Sequence, residues 1–245
     1  MIDLEHVTVR FGHRLVLDDI TLSIPAGARI GIIGPAAGGK SVLLKLIAGL
    51  LPPTRGRVAL FGTDVTGWRE ERLAPLRARI GMLFQNYALY DFLTVGENVG
   101  FPLVQRGVAP AEVAARVDDR LRAVGLAGQG DRAPGQLSGG MRKRVGIARA
   151  TIAHPELVLY DEPTAGLDPV TTSKMYDLLR ADHDRTGATA IAVSSDVEAL
   201  CRFVDHAIFL YEGRAHHQGP AAALANAADP VVRQFVRGEL DGPIV

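Results

Sequence analysis

Apolar and polar residues alternate in two rhythms along this chain, and each rhythm predicts a different kind of element. Val7 and Val9 alternate with polar residues, and residues 15–24 form a second apolar run that closes at Pro25. Runs of this kind, bounded by turn residues, are typical of β-strands. Residues 29–33 are almost continuously apolar, which indicates a strand buried on both faces. The first 35 residues or so are therefore predicted to be mainly strands.

Beyond this point the spacing of apolar residues becomes helical, and later it alternates between the two rhythms. Residues 41–50 carry apolar side chains at helical spacing, and Pro52 ends that helix. Residues 96–153 are predicted to be mostly helical, with breaks near Gly107, at 125–130 and at Pro134. Further strands are predicted at residues 57–61, 79–84, 157–160, 188–193 and 206–211, and further helices at 170–185, at 196–203 and from 229 onward.

Strands that alternate with helices favour an α/β fold with a mostly parallel core sheet covered on both faces. The initial strands add an N-terminal antiparallel β portion, and the helical middle is interpreted as an inserted subdomain. We expect a single domain over residues 1–245. In it, residues 1–95 and 154–220 form the core with its β portion, 96–153 form the helical subdomain, and 221–245 form a C-terminal helix and tail.

Composition and charge exclude several classes of protein. Hydrophobic residues make up 47% of the 245 and charged residues 22%, the balance of a globular protein rather than a disordered or coiled-coil one. Lys and Arg together number 27, as do Asp and Glu, so no overall basic field favours nucleic acid and no such partner is expected. Cys201 is the only cysteine, which excludes an intramolecular disulfide and suits a reducing compartment. No apolar stretch reaches about 18 residues, so we expect a cytosolic chain.

The turn between the strand at 29–33 and the helix at 41–50 carries the clearest chemistry. It matches G-x-x-x-x-G-K-[ST], a phosphate-binding loop, in the strand-to-helix context that this motif needs. Backbone N–H groups and the helix N-terminus would bind phosphate oxygens, Lys40 would reach the β- and γ-phosphates, and Ser41 would bind Mg²⁺. A glycine-rich turn without a ligand is the alternative. The loop consists of Gly34, Pro35, Ala36, Ala37, Gly38, Gly39, Lys40 and Ser41.

Ala37 stands where many such loops have another glycine. Alanine is small enough to keep the cradle, provided that its φ is negative.

Two acids follow the apolar strand at 157–160. Asp161 is a candidate to hold the magnesium shell, and Glu162 is a candidate to polarise a water for attack on the γ-phosphate. Acids also end strands simply because turns are polar, which is the alternative interpretation.

A second helix start lies between these motifs. The segment 137–144 opens a predicted helix, and Ser138 is expected to be its N-cap. A helix N-terminus with exposed N–H groups binds anions. One nucleotide does not need two such sites from one chain. Two chains placed head to tail do, because each presents this helix to the γ-phosphate bound by the other.

With these motifs in this order, the chain resembles the ATP-binding cassette subunits of ABC transporters over about residues 2–220. The resemblance implies the P-loop NTPase fold of ABC ATPases, ATP and Mg²⁺ as cofactors, ATP hydrolysis, and a dimer of two copies with ATP between them. It implies Walker A roles for residues 34–41 and Val42, and Q-loop roles in Mg²⁺ binding and catalysis for Gln85. The remaining motif residues it implies are Ser138, Gly139 and Gly140 of the signature, Asp161 and Glu162 of Walker B, and Asp168 of the D-loop.

Three further positions bear on the resemblance. Phe11 matches the aromatic that stacks on adenine in the family, although by its residue type it is equally a core side chain. Met141 stands where the signature usually has glutamine, and Ser195 stands where the family has its switch histidine. A serine hydroxyl is too short to replace an imidazole. Ser195 therefore predicts slow hydrolysis, in either a natural slow ATPase or a substituted variant that traps ATP.

Met141, the segment 82–89 and the segment 229–243 resemble, more narrowly, the MlaF-type lipid-transport ATPases. This resemblance implies movement of phospholipid or a related lipid between bacterial membranes. It implies as partners an MlaE-like transmembrane permease, an MCE-domain protein and a small accessory subunit, and a location at the cytoplasmic face of the inner membrane. An importer or exporter of another substrate is the alternative.

The residues after Gln85, including Tyr87, Leu89 and Phe92, are expected from the resemblance to seat a coupling helix of the permease. By residue type alone, Tyr87 and Phe92 are equally core aromatics.

Two rival functions remain. One is a soluble ABC protein without a permease, against which the single cassette and the absence of heptads argue. The other is a regulatory module that senses ATP and hydrolyses little, which Ser195 supports.

The remaining features have simpler interpretations. Arg142, Lys143 and Arg144 are predicted to form a solvated helix face. His216 and His217 are weak metal candidates, because adjacent side chains point apart. The apolar helix face of Val231, Val232, Phe235 and Val236 is expected to dock outside the core, on a neighbouring subunit.

Overall fold

The computed structural model describes residues 1–244 and divides them into two compact units, residues 1–77 with 189 onward, and residues 78–188. The strands are β1 Ile2–Phe11, β2 Arg14–Ile24, β3 Arg29–Ile33, β4 Arg55–Leu60, β5 Thr63–Asp64, β6 Ile80–Leu83, β7 Leu157–Asp161, β8 Thr189–Val193, β9 His206–Tyr211 and β10 Arg214–Pro220. The α-helices are α1 Lys40–Ile47, α2 Glu70–Arg77, α3 Val95–Val104, α4 Pro110–Ala123, α5 Gly139–Thr151, α6 Pro169–Thr186, α7 Val197–Cys201 and α8 Pro230–Arg237.

The first unit contains both kinds of strand pairing. An antiparallel sheet has the order β2-β1-β4-β5, as predicted for the N-terminal portion. Separately, β3 lies between β8 and β9 and is parallel to both, and β10 is antiparallel to β9. In this register Ile32 faces Val193 on one side and Ile208 on the other. Ile32 is fully buried, because its strand is covered on both faces, and this explains the continuous apolar run.

The second unit combines the parallel pair β6 and β7 with helices α3 to α6. The facing sides of α3, α4 and α5 form a buried apolar cluster that includes Val99, Leu121 and Val145. The alternation of strands and helices, with parallel pairs in both units, confirms the predicted α/β class. The helical stretch expected at 96–153 contains most of α3 and all of α4 and α5. The detailed division into core, subdomain and tail stays a prediction.

Helix α5 lies directly against β6, because a glycine on each element leaves room for the other: Gly81 for the backbone of α5 and Gly146 for the Leu83 side chain. A Cβ atom on Gly81 would lie 1.9 Å from the carbonyl oxygen of Ala150, and one on Gly146 would lie 2.5 Å from the Leu83 side chain. Both distances are shorter than any real Cβ contact. The strand and the helix therefore approach more closely than any residue but glycine permits.

The two-residue strand β5, helix α2 and strand β10 were not predicted from the sequence. Helix α2 has no buried residue, so it lacks the apolar periodicity on which the prediction depended. Strand β10 is the outer partner of β9, and its seven residues are all half-buried or exposed. Its sequence therefore shows no alternation.

The C-terminal helix docks on its own chain. Val232 is fully buried, and the ring of Phe235 packs edge-on against Phe209 of β9 with 5.3 Å between ring centroids. Beyond the helix, the Gln234 side chain exchanges two hydrogen bonds with the backbone of Ile244, at 3.1 and 2.7 Å. The prediction that this apolar face docks on a neighbouring subunit is wrong, since the face packs against β9 of its own chain.

His216 is paired rather than available for a metal. Its Nδ1 lies 2.9 Å from Oδ2 of Asp229, whose other oxygen accepts the N–H of Val231 and caps α8. Among residues 1–244, no group of three or more His, Cys, Asp and Glu side chains is placed to hold a metal ion. Within the same range, no helix combines the length and the apolarity needed to cross a membrane.

Candidate functional site

The loop between β3 and α1 has the form of a phosphate cradle. Its last glycine, Gly39, is the N-cap of α1, and no side chain caps this helix end. The N–H groups of the first turn are therefore oriented toward an external acceptor such as an anion. The Lys40 ammonium folds over the loop and donates to the carbonyl oxygens of Gly34 and Pro35, each at 2.7 Å. A cation and uncapped amides at one loop are the donors that phosphate requires.

The loop is also held tightly against the strand β9. Gly34 has φ +139, and a Cβ atom there would lie 1.9 Å from the carbonyl oxygen of Leu210. No other residue type fits this position without moving backbone. The close approach fixes the start of the loop, so that its remaining residues curve around the space above α1. The residues present thus fit a nucleotide phosphate.

Ala37 adopts φ +60, so the condition of a negative φ, under which alanine would keep the cradle without strain, is not met. For a residue with a Cβ atom, the left-handed region costs roughly 1–2 kcal/mol. The loop requires this turn conformation whichever residue occupies it, which is why the family pattern favours glycine here. Strain of this kind persists only where the surrounding structure holds it.

We expect Ala37→Gly to raise the free energy of unfolding by about 0.5–1 kcal/mol, because relief of left-handed strain outweighs the greater chain entropy of glycine. Thermal unfolding should move upward by about 1–4 °C for a chain of this size. The matched control is Ala36→Gly, since Ala36 is exposed and is absent from the positive-φ residues. That variant should lose stability, and equal shifts in the two variants would contradict the assignment of strain.

The first unit also positions Phe11 and Ser195. Phe11 is the last residue of β1 and is 50% exposed, which excludes the core role and leaves the ring free to stack on a ligand. Ser195 is exposed two residues after β8. Its neighbours are fixed, because Ser194 is buried and accepts the N–H of Asp196, whose carboxylate caps α7. Ser195 thus projects from an ordered strand-to-helix turn.

In the second unit, β7 ends in the two predicted acids. Asp161 is the last residue of the strand and is 5% exposed, whereas Glu162 is partly exposed. Glu162 has φ +52, a left-handed conformation that costs a non-glycine residue roughly 1–2 kcal/mol. The backbone leaves the extended conformation after Asp161, so the two side chains do not alternate as successive residues of a strand do. Sequence reasoning predicted both positions but not this strain.

The helix start at Ser138 is confirmed. Ser138 is the N-cap of α5, and its Oγ accepts the N–H of Met141 at 3.3 Å. Gly139 and Gly140 follow it and are partly exposed. Asp168 likewise caps α6, and hydrogen bonds from the hydroxyl and the N–H of Thr171 lower the pKa of its carboxyl. The structure thus gives Asp168 a helix-capping contact, in addition to the D-loop role that the sequence predicts.

Gln85 lies in an exposed turn that follows β6. Two residues of this turn, Tyr87 and Ala88, have positive φ values of 61° and 46°. Arg149 of α5 holds both, because its guanidinium donates to their carbonyl oxygens at 2.7 Å each. Burial lowers the pKa of Arg149. Sequence reasoning missed this arginine, because nothing in its residue type or its neighbours distinguishes it from the other cations of α5.

The expected solvated face of α5 is wrong for one of its three cations. Lys143 is 2% exposed, whereas Arg142 and Arg144 are partly exposed. Successive residues of a helix are about 100° apart around its axis, so Lys143 can face the interior while Arg142 and Arg144 remain partly exposed. Its ammonium donates to the carbonyl oxygens of Ala165 and Glu162.

An apolar groove of about 800 Å³ runs between α3 and α4 of the second unit. Phe92 borders it and is 83% exposed, so this ring is not a core aromatic. Three acids, Glu97, Asp118 and Asp131, are among its lining residues, and within residues 1–244 no Lys or Arg lines it. The groove therefore combines a mainly apolar lining with negative charge.

Comparisons with known proteins agree with this geometry. Residues 17–165 match the family described as ABC transporter. The chain is 40% identical over 262 aligned residues to the chloroplastic protein TRIGALACTOSYLDIACYLGLYCEROL 3 of Arabidopsis thaliana, with all of this chain and 75% of that protein covered. It is 37% identical over 245 residues to the intermembrane phospholipid transport system ATP-binding protein MlaF of Escherichia coli strain K12, with all of this chain and 91% of MlaF covered.

A solved structure shows the same fold. It is the dimeric, post-hydrolysis state of an ATP-binding cassette bound to ADP and Pi, with a TM-score of 0.84 and 31% sequence identity. The alignment covers 90% of this chain and 99% of the solved one.

Proposed function

Since this chain belongs to the ABC transporter family of ATP-binding subunits and is an ATPase of that type, we propose that it is the motor of a lipid transporter of the MlaF type. The phosphate cradle at the start of α1 is the observation that carries the ATPase function. The two relatives, one a phospholipid transport protein and the other named for trigalactosyldiacylglycerol, support the lipid. An importer or exporter of another substrate is the alternative that the experiment below tests.

The residues of the cradle would hold ATP by its phosphates. The amides of the first turn of α1 and the Lys40 ammonium would neutralise the β- and γ-phosphates, and Phe11 would stack on the adenine. Ser41, Gln85 and Asp161 offer a hydroxyl, an amide and a carboxylate oxygen, the hard donors that Mg²⁺ prefers. Bound Mg²⁺ would offset charge on the phosphates. The Glu162 carboxylate would accept the proton of the attacking water.

We propose that two copies of the chain act together. The solved relative is dimeric, and the Ser138 end of α5 is a second N-terminal anion site that one bound nucleotide does not use in its own chain. Ser138, Gly139 and Gly140 of one copy would face the γ-phosphate bound by the other, with Asp168 nearby. Each copy would then complete the site of its partner.

The groove between α3 and α4 would seat the permease. Its apolar lining suits an amphipathic helix, and the three acids that also line it favour a helix that carries basic residues. Phe92 would be the exposed aromatic anchor of that contact. The chain would thereby lie at the cytoplasmic face of the inner membrane, held by an MlaE-like permease in a complex with an MCE-domain protein and a small accessory subunit.

The lipid assignment is tested by purifying the chain with its membrane partners and identifying the extracted molecules by mass spectrometry. We expect an integral permease and a stoichiometric phospholipid or related lipid. Purification without any permease would favour the soluble alternative. A permease with a non-lipid molecule would favour a different substrate.

Ser195→His is expected to raise maximal ATP turnover at least about tenfold, or about 1.4 kcal/mol of barrier. The serine hydroxyl ends short of the distance that an imidazole spans. A bridging water, at an ordering cost of roughly 0–2 kcal/mol, holds the transition state less rigidly. ATP affinity should change little, because Lys40 and the loop amides are untouched. The measurement is phosphate release by the assembled complex under saturating ATP.

The control for this change is Ser23→His, at an exposed serine of β2. Its turnover should match that of the unchanged chain. Equal rates for Ser195→His and the unchanged chain would mean that another group makes the missing contact. Ser195 would then be neutral divergence, and the prediction of slow hydrolysis would be wrong.

A further inference from the structure

Lys143 is a buried cation that donates hydrogen bonds to backbone carbonyls. Its side chain is 2% exposed, and removing an ammonium from water is costly unless it is well paired. Its Nζ donates to the carbonyl oxygens of Ala165 and of Glu162, the second at 3.5 Å, and lies 5.8 Å from the centre of the Tyr87 ring. Burial lowers the pKa of Lys143, and the negative charge of Glu162 raises it. A buried ammonium stays charged only where its hydrogen-bond acceptors are held in place.

The two carbonyls belong to one tight turn. The carbonyl oxygen of Glu162 also accepts the N–H of Ala165 at 3.4 Å, which closes the turn on itself. Glu162 is its strained member, with φ +52. A strained residue persists only where its surroundings hold it, and charge-assisted hydrogen bonds are the stronger kind. Lys143 donates such bonds to both ends of the turn.

The same side chain ties this turn to two other motifs. Lys143 lies on α5 five residues after the N-cap Ser138, and its ammonium also lies over Tyr87 in the turn that follows Gln85. One cation thus contacts the segments that carry the candidate base, the start of the D-loop and the Q-loop. All of these contacts lie within the second unit.

We propose that Lys143 is a positioning residue for ATP hydrolysis, which holds the turn of residues 162–165 and thereby fixes the Glu162 carboxylate. This inference rests on the proposed role of Glu162 as general base. A displacement of about 1 Å in a catalytic group can lower a rate about 10²-fold, so loss of this anchor acts on the chemical step. ATP binding, which depends on the cradle at Lys40, is not expected to change.

The test compares three variants of the full chain by steady-state phosphate release and thermal unfolding. Lys143→Met keeps the apolar stem and removes the donors, and its kcat should fall at least about tenfold while KM for ATP stays within about twofold. Lys143→Arg restores charged donors and should retain kcat within about threefold. Lys174→Met removes an exposed lysine from α6 of the same unit and should behave as the unchanged chain.

A folded Lys143→Met variant with unchanged kcat overturns the proposal, and a lower Tm without loss of kcat shows that Lys143 only stabilises the unit. If Lys143→Met does not fold, Lys143→Gln replaces it, and a kcat equal to that of the unchanged chain is then the overturning result. Glu162→Gln, assayed in parallel, separates the two hypotheses. If Glu162→Gln retains turnover, the proposed role of Glu162 as general base is wrong. If Glu162→Gln loses turnover while Lys143→Met keeps the kcat of the unchanged chain, only the inference on Lys143 is wrong.

Discussion

Glu162→Gln is expected to lower ATP turnover by about 10²–10⁴-fold and to leave ATP binding intact, because an amide of the same shape cannot accept the proton of the attacking water. The substitution keeps the length of the side chain. It also keeps the backbone bonds at Glu162, which involve its carbonyl rather than its carboxylate. The left-handed backbone and the turn of residues 162–165 should therefore persist. The measurement is phosphate release under saturating ATP, alongside nucleotide affinity by titration.

A matched control is Glu71→Gln, at an exposed acid of α2 that has no part in the proposed site. Its turnover and its affinity for ATP should equal those of the unchanged chain. Should Glu162→Gln keep its turnover, the carboxylate would not be the general base. Should it lose nucleotide binding together with turnover, the carboxylate would contribute to binding rather than to proton transfer.

Lys40→Ala is expected to weaken ATP binding about 10- to 150-fold. Charge-assisted hydrogen bonds of an ammonium contribute about 1.5–3 kcal/mol, and each 1.4 kcal/mol is about tenfold in affinity. In the present structure the ammonium already lies over the loop at Gly34 and Pro35. It therefore needs little movement to meet a phosphate. The measurement is the Kd of ATP with Mg²⁺ for the full chain, together with ATP-driven dimerisation.

The same helix offers the control. Lys45 is an exposed residue in the last turn of α1, and Lys45→Ala removes an equal charge about one and a half turns from the cradle. Its affinity for ATP should stay within about twofold of the unchanged chain. If Lys40→Ala and Lys45→Ala weaken binding equally, the effect is one of overall charge, and the cradle assignment fails.

Elements that follow from local pattern were predicted well, and those that depend on a neighbour were not. The bounds of β3 and β9 agree with the sequence predictions, because strands buried on both faces are continuously apolar. Strand β10 lacks this signal, since its pairing with β9 depends on backbone hydrogen bonds that leave no trace in the side chains. The C-terminal helix was correctly predicted as amphipathic, but its partner was wrong. The ring of Phe209, which receives Phe235, belongs to a strand distant in sequence.

The candidate site divides in the same way. The phosphate loop, the acids at the end of β7 and the cap at Ser138 are each a short continuous segment. The residue types within each segment therefore indicated its chemistry. The positive φ of Ala37 is a backbone angle that alanine rarely adopts, so its residue type gave no sign of it. Lys143 looked like a surface cation because neighbouring arginines flank it. Its burial depends on the carbonyls of Glu162 and Ala165, and a contact between residues so far apart in sequence cannot be read from the pattern of residue types.

The contact between α5 and β6 has a mechanical consequence. At Gly81 no side chain separates the strand from the backbone carbonyl of Ala150 in α5, so no rotamer change at this contact can absorb a displacement. Strand β6 leads to the turn of Gln85, and α5 begins at Ser138. A displacement of the Gln85 turn is therefore expected to move the start of α5 as well. An alanine at Gly81 would force β6 and α5 apart, and its effect is expected at the Gln85 turn and at the start of α5 together.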